Sequence, residues 1–329
     1  MEMESSAALS KSLAVAACTA MALTYVGLLY APRFILRLPP PASLNEHMLR
    51  RFFSVGVSSI IALVMATLLL LPVWDSGKTH ITSILGAYGL KIDHLWQAVC
   101  FPLVLTALLY LGPLVTAALE TVCKWKQEQL PCACGVVDLV NSAYRDLVNA
   151  IHEVLSMRSD ILAWRNYVVA PLTEELVFRA CMIPLLLCGG FQPYSIVFLC
   201  PVFFSLAHLN HFWELYYQQN YDICRAAVVV GFQLVYTVIF GWYASFLFIR
   251  TGHLVAPIMA HIFCNITGLP SMSCVQRGKV TTMVFLAGIA GFFLVLAPAT
   301  NPVLYNDSIA SCKCWYGFCK LKSDLQDNY

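Results

Sequence analysis

Apolar runs close to 20 residues long recur along this chain, at about 13–32, 52–73, 97–118, 167–187, 192–208, 226–249, 253–269 and 280–300. A helix rising ~1.5 Å per residue needs about 20 such residues to cross a hydrocarbon core ~30 Å thick. In hydrocarbon every backbone N–H and C=O must find a partner inside the chain, so runs of this kind fold as helices. The expectation is an all-α, polytopic integral membrane protein with about eight transmembrane helices. Composition agrees. Of the 329 residues 59% are hydrophobic and 12% charged, against about 25% charged in a soluble protein. A net charge of +2 gives no reason to expect nucleic acid as a partner. The lipid bilayer is the expected surrounding.

The polar remainder orders the chain. Pro39, Pro40 and Pro41 make a stiff turn before the second run. Between 119 and 166 lies the longest polar stretch, and Val137, Val140, Val148, Ile151 and Leu155 suggest an amphipathic helix on the membrane surface over 136–157. The loops at 33–51, 119–166, 209–225 and 270–279 are the richer in Lys and Arg, which assigns them to the cytosol. The 14 cysteines are scattered, several within apolar runs, where a thiol behaves as a small hydrophobe. Four zinc ligands at structural-site spacing are absent, and no cofactor is expected.

Charged and polar residues inside the apolar runs are the exception that points to chemistry. Ionisable side chains at membrane depth are costly and mark function by default. Glu174 and Glu175 fall in the fourth run, with Arg179 four residues after Glu175 on the same helix face. That spacing lets Glu175 and Arg179 neutralise each other and leaves Glu174, about 100° away, free to face something else. His208 closes the fifth run. His211 and Asn210 beyond it read as loop. In the seventh run His261 and Asn265, four apart, are the polar residues of one face. Given the inferred orientation, all three segments bring these groups to one level near the cytosolic side. A core hydrogen-bond pair accounts for His261 and Asn265 taken alone, and a surface cap for His208 taken alone. The shared depth favours a site.

A carboxylate and a histidine in a dry site can activate a water molecule. A second histidine and a carboxamide can stabilise a developing oxyanion. With no serine or cysteine beside a matched base, water is the expected nucleophile and amide hydrolysis a fitting reaction. Two other readings use the same residues. Glu174, His208 and His261 form a His₂Glu set of the kind that holds catalytic zinc. Intramembrane Glu, Arg, His and Asn also line transporter pathways, or stay without catalysis in a scaffold.

Glu174-Glu175 followed by Arg179, then Phe204 followed by His208, then His261 followed by Asn265 resemble the three signature motifs of the CAAX protease and bacteriocin-processing family, in order and in separate apolar runs. The resemblance covers about residues 165–270. It implies a glutamate-type endopeptidase of the endoplasmic reticulum membrane, its site facing the cytosolic leaflet. Its substrates would be prenylated (farnesylated or geranylgeranylated) CAAX proteins such as Ras-type small GTPases. It would cut after the prenylated cysteine and release the last three residues. By the same resemblance Glu174 and His208 activate water, His261 and Asn265 form the oxyanion site, Glu175 and Arg179 support Glu174, and Phe204 packs. The chain then divides into an N-terminal membrane region at 1–160, a catalytic membrane core at 161–305 surrounding an intramembrane cavity, and a Cys-containing tail at 306–329.

Overall fold

Helix starts are written locally in the chain. Ser10 accepts the Leu13 amide at 3.2 Å and opens α1 (Lys11–Phe34). Ser43 accepts the Glu46 amide at 3.2 Å and opens α2 (Leu44–Leu70), with Glu46 in the first turn, where the helix dipole favours a carboxylate. The computed structural model describes residues 9–73, 81–116, 160–268 and 279–306, and among them there is no strand. The surface helix expected at 136–157 and the cysteines of the tail lie outside the described residues. After α2 come α3 (Ile81–Ala87) and α4 (Leu95–Leu109). α5 (Ile161–Trp164) follows the Asp160 cap, then a π-helical segment (Arg165–Val169), α6 (Ala170–Glu175), a second π-helical segment (Leu176–Cys181) and α7 (Met182–Cys188). α8 (Pro193–Ala207) has proline in its first turn, where no amide partner is lost. α9 (Asn210–Trp213) is short. α10 (Ile223–Thr251) begins at the Asp222 cap and ends at Gly252, held at φ 66°. α11 (Val255–Thr267) and α12 (Lys279–Ala299) complete the order.

The all-α membrane architecture expected from the apolar runs is present. α1, α2, the run Pro193–Tyr217, α10 and most of α12 are long and apolar enough to cross a bilayer. α4 and α11 are apolar but shorter. The run at 167–187 becomes a helix broken by π-helical segments, so it is not one regular rod. Outward side chains are large and apolar: Leu23, Phe53, Ile60, Phe232 and Leu294 are each 62–77% exposed. Water would penalise that surface, and lipid does not.

Two compact units interleave along the chain. The first takes residues 1–102, 170–261 and 300–329. Its inner faces are lined by small residues. Ala14, Ala17 and Cys18 of α1 and Ser54, Ser58, Ala62 and Ala66 of α2 are buried at helical spacing. Small residues let backbones approach, which is how helices bind each other when solvent offers no hydrophobic drive. A Cβ built on Gly241 of α10 would lie 2.7 Å from the Pro201 Cβ of α8, and one on Gly189 would lie 2.8 Å from the Ala14 Cβ. The second unit takes residues 103–169 and 262–299. There the Tyr110 hydroxyl donates to the Gly268 carbonyl at 2.8 Å and its ring meets Phe263 edge-on at 5.5 Å. Gly288 of α12 abuts the Leu108 carbonyl.

Gly241→Val forces α10 off Pro201 and is expected to destabilise by ~1–3 kcal/mol, as overpacking does. Gly231, with nothing near its Cβ position, accepts alanine without loss. Thermal unfolding of both variants in detergent, followed by tryptophan fluorescence, checks the contrast.

Candidate active site

Adjacent glutamates on α6 point about 100° apart, so one helix gives them different surroundings. Glu175 turns inward and is 0% exposed, whereas the Glu174 side chain keeps 17% of its surface open. The π-helical turn after it carries Arg179, also 0% exposed, whose Nη1 donates to Glu175 Oε1 at 3.1 Å. The expected pairing of Glu175 with Arg179 is therefore made.

The same carboxylate oxygen receives a second partner that spacing does not reveal. His261 Nδ1 lies 2.8 Å from Glu175 Oε1. An ionised carboxylate only accepts, so Nδ1 is the donor. This fixes the ring and aims Nε2 at Glu174 Oε2, 3.9 Å away. That gap is too long for a direct hydrogen bond and suits a bridging atom. Arg179, Glu175, His261 and Glu174 thus form a chain that runs from the dry interior to the more open carboxylate.

Aromatic rings surround the chain. The Arg179 guanidinium carbon sits 4.4 Å over the Phe204 ring and 5.8 Å from that of Phe240. Its Nε and Nη2 have no hydrogen-bond partner among the described residues, and the ring faces offset part of their lost hydration. Phe204 also meets His208 edge-on at 4.7 Å and His261 at 6.5 Å. It is the shared wedge behind both imidazoles, the packing role expected of it. His208 caps α8, and its Nδ1 donates to the Phe204 carbonyl at 2.8 Å. Its Nε2 is left as a bare acceptor.

The Tyr25 hydroxyl bonds Thr173 Oγ1 at 3.0 Å and the Tyr25 ring meets Phe178 edge-on at 5.5 Å, tying α1 to the segment that carries Glu174. Phe240 packs against His261 at 4.8 Å. Sequence reasoning missed both; one aromatic among many in an apolar run carries no signal of its own. His211, read as loop, pairs with Glu214 through Nδ1 at 3.3 Å, and Glu214 pairs with Arg51 of α2 at 3.3 Å. The His211 ring lies 5.7 Å from that of His208.

Asn265, one turn beyond His261 on α11, belongs to the second unit. There its carboxamide is exposed, and Nδ2 donates to the Asn166 carbonyl at 2.7 Å. Glu174, Glu175, Arg179, His208 and His261 all lie in the first. Among the described residues no group of three or more His, Cys, Asp or Glu side chains is disposed to hold a metal ion. The donors a zinc ion would have to recruit are the Nε2 atoms of His208 and His261 and the Glu174 carboxylate.

Fold and cluster together define an α-helical membrane protein whose interior gathers glutamate, arginine and histidine side chains. A family model described as type II CAAX prenyl endopeptidase Rce1-like matches residues 159–267, the stretch that holds Glu174, Glu175, Arg179, His208 and His261. CAAX prenyl protease 2 of Arabidopsis thaliana is 50% identical over 94% of this chain and 97% of its own length. The protein of that name from Homo sapiens is 35% identical over 89% of this chain and 82% of its own, and the one from Saccharomyces cerevisiae 25% identical over 78% and 81%. No solved structure matches the chain. It belongs to the CAAX prenyl protease 2 family.

Arg179→Ala leaves Glu175 with its charge buried and only His261 beside it, and is expected to destabilise by ~3–5 kcal/mol. The double variant Glu175→Gln/Arg179→Met removes both charges and should recover part of that loss. Purification yield and thermal midpoints of the two proteins measure the difference.

Proposed function

We propose that this chain is an intramembrane endopeptidase that hydrolyses the peptide bond after the prenylated cysteine of CAAX proteins and releases the C-terminal three residues. The observation that carries the reading is the 3.9 Å gap between Glu174 and an imidazole held from behind by Glu175 and Arg179. A water in that gap meets a base on one side and a fixed ring on the other. Membership of the CAAX prenyl protease 2 family supplies the substrate class.

The steps derive from the groups present. Glu174 takes a proton from water, with the bare His208 Nε2 as a second acceptor to orient it. The hydroxide oxygen bonds to the cysteine carbonyl carbon, and the carbonyl becomes an oxyanion. Asn265 and His261 are the donors assigned to that oxyanion. To donate from Nε2, His261 must carry protons on both nitrogens, since Nδ1 already donates to Glu175. Collapse breaks the C–N bond, and the proton held by Glu174 passes to the leaving amine. A carboxylic acid and an amine result, with water consumed. Glu175 and Arg179 never meet the substrate; they hold His261.

The substrates we infer are farnesylated or geranylgeranylated proteins, Ras-type GTPases among them, presented at the cytosolic leaflet of the endoplasmic reticulum. A single lipid chain holds its protein to a membrane weakly and reversibly. It delivers the scissile bond to the shallow depth at which Glu174 was expected.

Glu174→Gln keeps the shape and removes the base, so cleavage of a farnesylated CAAX peptide should vanish while the thermal midpoint stays. Normal turnover by folded Glu174→Gln and His208→Ala proteins would leave a transporter or scaffold as the better description. Asn265→Ala is expected to lower kcat by about 10²-fold, the loss of one oxyanion donor. Protein stripped of metal should cleave at the full rate. Loss of activity that zinc alone restores would replace the glutamate mechanism with a metal-bound one.

A further inference from the structure

We infer that a groove along α1 and α8 holds one anionic phospholipid, with an acyl chain in its apolar half and the phosphate beside Arg33. The apolar half, 670 Å³, lies between Ala22 and Val26 of α1 and Phe203, Leu206 and Ala207 of α8. The polar half, 460 Å³, is bounded by Arg33, His47, Arg50, Arg51 and Glu214 and by the proline turn. Tyr30, Phe34, Asn210 and Trp213 line both, so the two are continuous. Each volume is in the range of small-molecule sites.

Charge selects the occupant. Arg50 is engaged by Glu46 and by the Pro39 carbonyl, and Arg51 by Glu214. Arg33 is exposed, touches the Phe34 ring at 5.5 Å and has no ion pair among the described residues. Three guanidinium groups therefore face two carboxylates. An uncharged lipid has no use for the surplus cation, and a soluble anion has none for the apolar half. A phospholipid with a net negative headgroup uses both. Tyr30 and Trp213 stand at the junction, where amphipathic rings of membrane proteins meet headgroups.

The groove is distinct from the catalytic cluster. Phe203, Leu206 and Ala207 lie on one face of α8, and Phe204 and His208 on the next, about 100° around. Neither Glu174, His208 nor His261 lines either half. A chain lying here is beside the reaction rather than in it.

The test counts lipid bound to the full-length protein. Protein reconstituted in vesicles of equal phosphatidylcholine and phosphatidylserine is extracted gently, and the lipids that remain are counted by native mass spectrometry. Wild type should retain one phosphatidylserine in preference to phosphatidylcholine. Arg33→Gln should cut that preference about fivefold, the contribution of one interfacial basic residue, and Arg33→Lys should keep it. Ala22→Phe, which fills the apolar half, should lower retention of both lipids. Equal retention of the two lipids by wild type, or an unchanged preference in Arg33→Gln, overturns the inference. So does displacement of the retained lipid by a farnesylated peptide added to Glu174→Gln protein, which would give the groove to substrate. Because Arg33 is exposed, its variants leave the fold intact. Because bound lipid is read rather than cleavage, the outcome is independent of the proposed peptidase activity.

Discussion

A fully buried carboxylate is hard to keep ionised unless other groups converge on it, and Glu175 meets that demand by gathering four parts of the chain. Arg179, one turn away, supplies the cation. His261, 86 positions along the chain, supplies a ring N–H to the same oxygen. Phe204 and Phe240 supply the faces that cover the guanidinium. Remove the charge at the centre and each partner loses its reason to be oriented. The imidazole, though still packed against Phe240, would lose the bond that sets its Nδ1, and the gap to Glu174 would no longer be fixed from behind. The more open glutamate keeps its carboxylate unencumbered because its neighbour is committed to structure.

Much of this was legible before any coordinates. The apolar runs dictated helices, because hydrocarbon leaves the backbone no other way to satisfy itself. The pairing of Glu175 with Arg179 came from their spacing, and the separate orientation of Glu174 from the helical repeat. What stayed hidden was contact at long range. That Glu175 rather than Glu174 carries the direct bond to His261 depends on how α11 is placed against α6, and neither segment encodes that alone. The π-helical segments were equally invisible, since an inserted residue leaves no mark in an apolar pattern. His211 looked like loop because its partner Glu214 comes within three residues, and only the third member, Arg51, shows that the turn is anchored to α2.

Two solvents act on the same helices. The outer faces carry Leu, Ile and Phe side chains that lipid tolerates, and the inner faces carry Ala, Ser and Gly that permit close approach. A soluble bundle would carry charged and polar side chains on those outer faces. The burial pattern thus identifies the surrounding medium as clearly as hydropathy does, and it explains how a polar cluster stays dry beneath a surface with few charges.

The segment Leu176–Cys181 has a consequence for how this helix can vary over evolution. A π-helical turn is an α-helical turn with one additional residue lodged in it. The wider turn absorbs that residue locally, so α6 and α7 on either side keep roughly the phase of one continuous helix. Loss of one residue there can close the turn to the tighter repeat with Glu174 and Glu175 still facing as they do, whereas the same loss inside α6 or α7 would rotate one side against the other by about 100°. This stretch is where the helix can change by one letter in length and keep its acidic pair oriented.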